Sequence, residues 1–330
     1  MTRDGATLRR EGGLLQVFVR RERVAELSLQ GIEQLVLVGN VTLTPRALDL
    51  VLEAGVDTVF LSHHGRYRGR IVHGLSANIR LRLAQVHRLD DPIFACAFAK
   101  AVVDGKLANA RSFLQRFARR HGDDGSLSAA VRALAAGRAR LEVGTNVDEL
   151  RGVEGAGAAT YFGVFGKVLR APGFTFDGRN RRPPLDPVNA LLSLGYTFLT
   201  TAVEAQVHTV GLDPYLGALH APLTGRPSLV CDLVEEWRVP VVDALVVAAI
   251  NRGVINTEDF EDLGEGEPVV VKRPALGAFA RLFERRLATP VLYRPTNMRL
   301  PLRNVIEQQV RHLARVLLGD DQAYLPYLTE

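Results

Sequence analysis

The sequence predicts an α+β protein: a small N-terminal β-sandwich-like domain, residues 1–80, followed by a larger all-helical domain, residues 81–330. Three observations lead to that expectation. Short β-branched and aromatic runs follow one another at close spacing up to about residue 72, too close for the helices of a doubly wound sheet to intervene. Beyond about residue 78 the segments become long, rich in Ala and Leu, and helically periodic. Two of these long segments open with an Asp-Pro pair, Asp91-Pro92 and Asp186-Pro187, which places a capping acceptor just before a proline whose missing N–H costs a helix nothing in its first turn. The boundary falls near residues 75–85.

In order, Leu14–Val19 reads as a strand, Arg23–Leu27 as a half-buried strand by its alternation, and Gln34–Val38 as a third, closed by the turn signal Gly39-Asn40. Thr44-Pro45 opens a short helix whose buried face carries Leu48, Val51 and Leu52. Asp57–Leu61 and Tyr67–Val72 are two further strands, separated by Ser62-His63-His64-Gly65. The paired histidines are read as a polar loop rather than a metal site, because adjacent side chains diverge. In the second part, Gly122-Asp123-Asp124-Gly125 separates the helix begun at Pro92 from one capped by Ser126, and a long helix runs from Pro187 towards His208. Another follows Gly225-Arg226-Pro227, with Ser228 as its cap. Pro183-Pro184 and Asp259–Pro268 read as loops.

The formal net charge is +5, which mildly favours an acidic partner such as DNA. Its distribution says more. From Asp232 to Pro268 there are ten acidic residues against two basic, and from Lys272 to Arg315 ten basic against two acidic. Solvated helix faces explain that pattern, and so does an acidic cation-holding pocket beside a basic surface for a phosphate backbone. Only two cysteines are present, Cys96 and Cys231, with no CxxC pair. That excludes a disulfide framework and a zinc ribbon, and fits buried thiols in a reducing, cytoplasmic setting. The first residues lack a signal-like apolar run, and no uninterrupted apolar stretch reaches membrane-spanning length, so no membrane association is expected.

Three segments carry candidate chemistry. In Leu150–Phe162 one carboxylate, Glu154, sits among very small residues, and Glu154, Ala158 and Tyr161 share a helix face. A close helix crossing explains the small residues, and so does a ligand's approach. In Gly211–His220 the single histidine His220 precedes the turn Ala221-Pro222. In Gly225–Trp237 the residues Val230, Leu233, Val234 and Trp237 form an apolar stripe, with Asp232, Glu235 and Glu236 opposite. Plain amphipathicity accounts for that arrangement without any function. Taken together, Glu, His and Asp or Glu form a mostly oxygen donor set, suited to Mg2+ or Mn2+ rather than to a closed zinc site.

These segments, in this order, resemble the CRISPR-associated Cas-one family. The resemblance runs through Val36–Val41, Leu52–Val56 and Phe60–Arg70 in the first part. In the second it runs through Leu150–Ala156, Arg181-Arg182-Pro183-Pro184, Asp186–Ser193, Gly195-Tyr196, Leu216–His220 and Gly225–Leu229. It implies a homodimer and a metal-dependent DNA endonuclease and integrase that inserts captured fragments as spacers into a CRISPR array by phosphoryl transfer. It implies Glu154, His220 and Glu235 as ion ligands, with Asp232 of the Asp-x-x-Glu pattern in support. Arg151, Arg181, Arg182 and Arg226 are candidate phosphate contacts, since the guanidinium fork suits phosphate oxygens. The implied partners are prespacer DNA, the CRISPR repeat and a small ferredoxin-like protein, Cas-two, in a heterohexamer. Two other readings are a DNA-binding scaffold without catalysis and a metal hydrolase of small phosphoesters; the retained acids and histidine weigh against the first, and the basic run against the second.

Overall fold

A computed structural model describes residues 5–32, 34–63, 65, 67–71, 78–181, 183–264 and 266–329. The fold is α+β, and the chain divides into two compact units, one of residues 1–75 with 271–277 and one of 76–270 with 278–330.

In the first unit the strands are β1 (Ala6–Glu11), β2 (Leu14–Val19), β3 (Glu22–Ser28), β4 (Gln34–Val38), β5 (Val41–Leu43), β6 (Asp57–Leu61) and β7 (Tyr67–Ile71), with helix α1 (Pro45–Glu53) before β6. One sheet has the order β3-β2-β1-β5, the other β4-β6-β7. β4 and β6 are parallel, a pairing that requires the chain to cross over through α1. Alternate residues of both sheets and one face of α1 share a core: Leu8, Leu15, Val17, Leu37, Leu50 and Val51. Thr44 caps α1 by accepting from the Ala47 N–H at 3.4 Å. Two strands, β1 and β5, escape the sequence pattern: β1 is half charged and β5 only three residues long. β3 is no half-buried strand; it lies at the sheet edge with only Val24 partly covered. Its charged residues suit an edge, where they discourage pairing with another chain.

The second unit contains α2 (Ile79–Asp90), α3 (Pro92–His121), α4 (Ser126–Val143), α5 (Val147–Gly163), α6 (Pro187–Val210), α7 (Ser228–Val234) and α8 (Ala244–Asn251). Strands β8 (Phe260–Asp262) and β9 (Val269–Val271) pair next, then α9 (Arg273–Leu287), the ribbon β10 (Pro290–Tyr293) with β11 (Met298–Pro301), and α10 (Leu302–Leu318). This part is helical in bulk but not wholly so: β8 falls within Asp259–Pro268, expected to be loop, β9 begins directly after it, and strands of three or four residues are too short to show alternation. Asp91, Asn146 and Asp186 cap α3, α5 and α6 through their side chains. Two caps differ from expectation. Ser126 is the first helical residue of α4, after left-handed Gly125, and Asp123 accepts from the Leu127 and Ser128 N–H groups. α7 has Pro227 at its cap position and no side-chain cap, while Ser228 donates its hydroxyl to the Ala221 carbonyl.

α3 packs against α4 and α5, and α6 against α7 and α10. Gly157 of α5 abuts Leu107 of α3 so closely that a Cβ would collide with its side chain, whereas Gly152 and Gly155 face open space. Of the small residues around Glu154, Gly157 is therefore the glycine that a helix crossing requires. No helix among the described residues is long and apolar enough to cross a membrane.

Candidate functional site

The site lies within the second unit, where α3, α5 and the segment around α7 meet. Asp232, Glu235 and Glu236 are not the polar face of an amphipathic helix. Their exposures are 0%, 3% and 1%, as buried as the apolar stripe beside them. α7 stops at Val234, and the wider π-type turn Arg238–Asp243 follows, leading into α8. Each of the three acids consequently faces different partners, and each needs them, because a buried carboxylate without donors or counter-charge is costly.

Asp232 organises the histidine loop. Its Oδ2 accepts from the N–H groups of Ala218 at 2.6 Å and Leu219 at 3.0 Å, and its Oδ1 from the His220 N–H at 2.8 Å. The His220 ring meets the same Oδ1 through Nδ1 at 2.7 Å. With Nδ1 held there, Nε2 is the nitrogen available to an ion, the arrangement by which carboxylates orient metal-binding histidines. Gly217 lets this happen, since a Cβ there would strike the Ser228–Leu229 backbone and Asp232 itself. Arg151 and Arg226 brace the same loop, donating to the carbonyls of Leu219 and Ala221.

Glu235 and Glu154 meet on a cation that sequence reasoning missed. The Lys106 ammonium, from α3, contacts Glu154 Oε1 and lies 2.6 Å from Glu235 Oε2. Arg238 Nε approaches the same Glu235 oxygen at 3.0 Å. Both cations thus converge on one buried carboxylate oxygen. Burial opposes ionisation of Glu235, but Arg238, Lys106 and His220 together outweigh it and hold the carboxyl at about 2. Arg238 is in turn fixed over the Tyr196 ring, 4.6 Å from its centroid. Glu236 points elsewhere: burial lifts it to about 7 against the hydrogen bonds from Tyr324 and the Tyr327 N–H.

Among the described residues, no three acidic, imidazole or thiol side chains already stand at ion-sharing spacing. The structure brings Glu154 and Glu235 together through Lys106, and His220 beside Asp232. Two carboxylates that share a positive group, with an oriented imidazole nearby, have the donor chemistry a hard divalent ion takes. The residues thus fit Mg2+ or Mn2+, provided Lys106 gives way. Asp232, with both oxygens engaged, fits support rather than coordination.

Of the four arginines expected at phosphate, Arg151 and Arg226 hold loop carbonyls, Arg181 is exposed, and Arg182 lies outside the described residues. Arg179, not singled out from sequence, is bonded to Asn189 and Ser193. The basic run after Lys272 is partly neutralised, with Arg303, Arg311 and Arg315 paired to Glu284, Glu307 and Asp321. His63 contacts Arg273, and His64 lies outside the described residues.

Behind the site, a narrow cavity of about 20 Å3 is lined by Lys106, Gly157, Ala158, Tyr161, Arg238 and Asp243. Asp243 accepts from the Tyr196 hydroxyl at 2.6 Å. Burial pushes its carboxyl up to about 6, against the hydrogen bond from Tyr196 and the charges of Arg238 and Arg179. Folded chains therefore hold a proton that unfolded chains release from about pH 4 upward, so this group's contribution to stability falls as pH rises to 6. A shift of two units amounts to about 3 kcal/mol. The stability advantage of Asp243→Asn over the parent should accordingly be about 3 kcal/mol larger at pH 8 than at pH 4. Urea unfolding at both values checks this, and an equal difference at the two contradicts it.

The comparisons with known proteins place the chain as a whole. A family model described as CRISPR associated protein Cas1 matches residues 1–285. A CRISPR-associated endonuclease Cas1 of Chlorobaculum tepidum is 34% identical, the match covering 99% of this chain and 97% of the relative. Another, of Thermus thermophilus, is 37% identical over 98% of this chain and 94% of the relative. Among solved structures, a casposase bound to its integration product has a TM-score of 0.85 at 24% identity, covering 98% of this chain and 90% of that one. A Cas1 protein from Thermotoga maritima has a TM-score of 0.81 at 24% identity, covering 99% and 98%. The two structures share the fold, that of a β-rich N-terminal unit joined to a larger helical one. The chain belongs to the CRISPR-associated Cas1 family.

Proposed function

We propose that this chain is a divalent-metal-dependent DNA endonuclease and integrase that inserts captured DNA fragments as spacers at CRISPR repeat boundaries. The observation that carries the proposal is the meeting of Glu154 and Glu235, from separate helical segments, on one cationic group beside a histidine oriented by Asp232. Full-length relatives named CRISPR-associated endonucleases support it.

Glu154, Glu235 and Nε2 of His220 would hold Mg2+ or Mn2+. Such an ion neutralises charge developing on a phosphodiester and acidifies an attacking hydroxyl. Asp232 keeps the His220 ring in place and fixes the proton on Nδ1. Lys106, once it gives way to the ion, leaves a positive charge beside the two acids for a DNA phosphate, while Arg238, held over Tyr196, keeps Glu235 ionised. The fragment's 3′-hydroxyl loses its proton and bonds to the phosphorus of the repeat phosphodiester as the bond to the repeat strand's 3′-oxygen breaks, and that oxygen leaves as a 3′-hydroxyl; with water instead, the same exchange cuts DNA. We place the chain in a homodimer working with a small partner of the Cas2 kind; the partner, though not the dimer, is supported by a structural neighbour that is a Cas6-RT-Cas1–Cas2 complex.

The test is incubation of a labelled duplex with 3′ overhangs, a supercoiled repeat plasmid, the partner protein and Mn2+. The expected result is labelled, relaxed plasmid. Chelation should abolish it, Mn2+ should restore it, and Glu154→Gln should lower it by about 10²-fold or more, the scale of a lost electrostatic contact in a transition state. Equal integration with chelator present, or by the Gln variant, would refute the proposal.

A further inference from the structure

The segment after α10, Gln322–Thr329, has no regular structure, yet it is anchored residue by residue. The Tyr324 hydroxyl donates to Glu236 Oε1 at 2.8 Å, and the Tyr327 N–H to Glu236 Oε2 at 2.6 Å. The Tyr327 ring stacks on Trp237 at 4.6 Å. On the other side, Asn109 of α3 donates to the carbonyls of Glu236 at 2.8 Å and Tyr327 at 2.9 Å, and accepts from the Thr329 N–H at 2.8 Å. Pro326 lies against Gly105 so closely that a Cβ on Gly105 would come within 2.6 Å of the Pro326 Cβ. Every one of these anchors sits within three positions of Lys106 or Glu235. Gly105 precedes Lys106, Asn109 is one helical turn after it, and Glu236 and Trp237 follow Glu235 directly.

We infer that Tyr324–Thr329 is a positioning strap for the candidate metal site, tying α3 at Gly105 and Asn109 to the end of α7 at Glu236 and Trp237, and so fixing Glu235 against α3. The inference rests on the proposed metal site. Its physical basis is the burial of Glu236. Its two oxygens take donors from the strap, so lifting the strap leaves a buried carboxylate without them. The chain would turn to solvate that carboxylate, and Glu235, its neighbour, would turn with it.

Gly105→Ala tests the idea, because the added methyl meets Pro326 and changes no charge. Mn2+ affinity is measured by competition with a fluorescent chelator, and duplex affinity separately in EDTA, both well below the unfolding temperature. Gly105→Ala should weaken Mn2+ binding about tenfold, the scale of a lost supporting contact, and leave duplex affinity in EDTA within about twofold. Adding Pro326→Gly, which removes the opposing Cβ, should restore most of the Mn2+ affinity, the coupling expected of groups in contact. If Gly105→Ala does not fold, Tyr327→Ala against Tyr327→Phe decides: the first should lose affinity and the second, keeping the ring on Trp237, should retain it. Mn2+ affinity that is unchanged in Gly105→Ala, or lost and not recovered with Pro326→Gly, overturns the strap and leaves the metal site standing. Absence of Mn2+ binding by the unaltered protein overturns both.

Discussion

Glu235→Gln should reduce strand transfer by about 10³-fold and make Mn2+ binding undetectable at micromolar protein. Glu235 is the acid with the strongest counter-charge around it: Arg238 and Lys106 approach one oxygen, and its carboxyl is held at about 2. It is therefore ionised and ready for an ion at any working pH. Stabilisation of developing charge by a bound metal is worth several kcal/mol, and about 4 kcal/mol corresponds to the thousandfold loss. The same change removes the counter-charge of Arg238, which is pressed against Tyr196 beneath the site. Breaking a buried pair from one side costs about 3–5 kcal/mol, so the variant should also unfold at lower temperature. Glu235→Asp keeps the charge and should recover part of both properties. Single-turnover strand transfer, calorimetric Mn2+ titration and thermal unfolding read the three consequences. A Gln variant that integrates within tenfold of the parent would show that Glu235 is no ligand.

Asp232→Ala should be the most destabilising single change in the site. One carboxylate accepts from three successive backbone N–H groups and meets the His220 ring as well. Its removal leaves those groups unpaired in a buried place, at about 1–3 kcal/mol for each one that water cannot reach. A total near 5 kcal/mol would lower the unfolding temperature by about 10 °C in a chain of this size. Asp232→Asn keeps the shape but turns an amide N–H2 towards N–H donors, so it should fall between the two. Mn2+ affinity should drop about 10- to 100-fold in the Asn variant, the usual cost of losing the group that orients a ligating histidine. Differential scanning calorimetry decides the matter; an Ala variant melting within 2 °C of the parent by that measurement would contradict the account.

β2, β4, β6 and β7 were legible as short β-branched or aromatic runs, β3 by its alternation of charged and apolar residues, and the helices α3 and α6 by the Asp-Pro pair that fixes each start. β1 was not legible because its buried Ala6 and Leu8 are followed by two arginines and a glutamate. The order Glu154, His220, Asp232, Glu235 was legible as a resemblance, but its environment was not. On a helical wheel, Asp232, Glu235 and Glu236 look like a solvated face; in the fold they are buried, because other elements cover them. Lys106 gave no signal at all. It is one of two lysines on α3, with Lys100, and only the fold reveals that it reaches two acids distant in sequence. Arg238 was hidden for the same reason: its partners Tyr196 and Glu235 come together through tertiary packing alone.

The wide turn at Arg238–Asp243 makes residue count, as well as residue type, part of this region's geometry. A π-type turn closes i→i+5 where an α-helix closes i→i+4, so deleting any one position between Trp237 and Ala244 would tighten the turn and shift Asp243 and α8 relative to α7. Glu235, upstream, would keep its bearing, while Asp243 would swing off the Tyr196 hydroxyl. Frame-preserving single-codon deletions there should do more harm than most substitutions of the same residues.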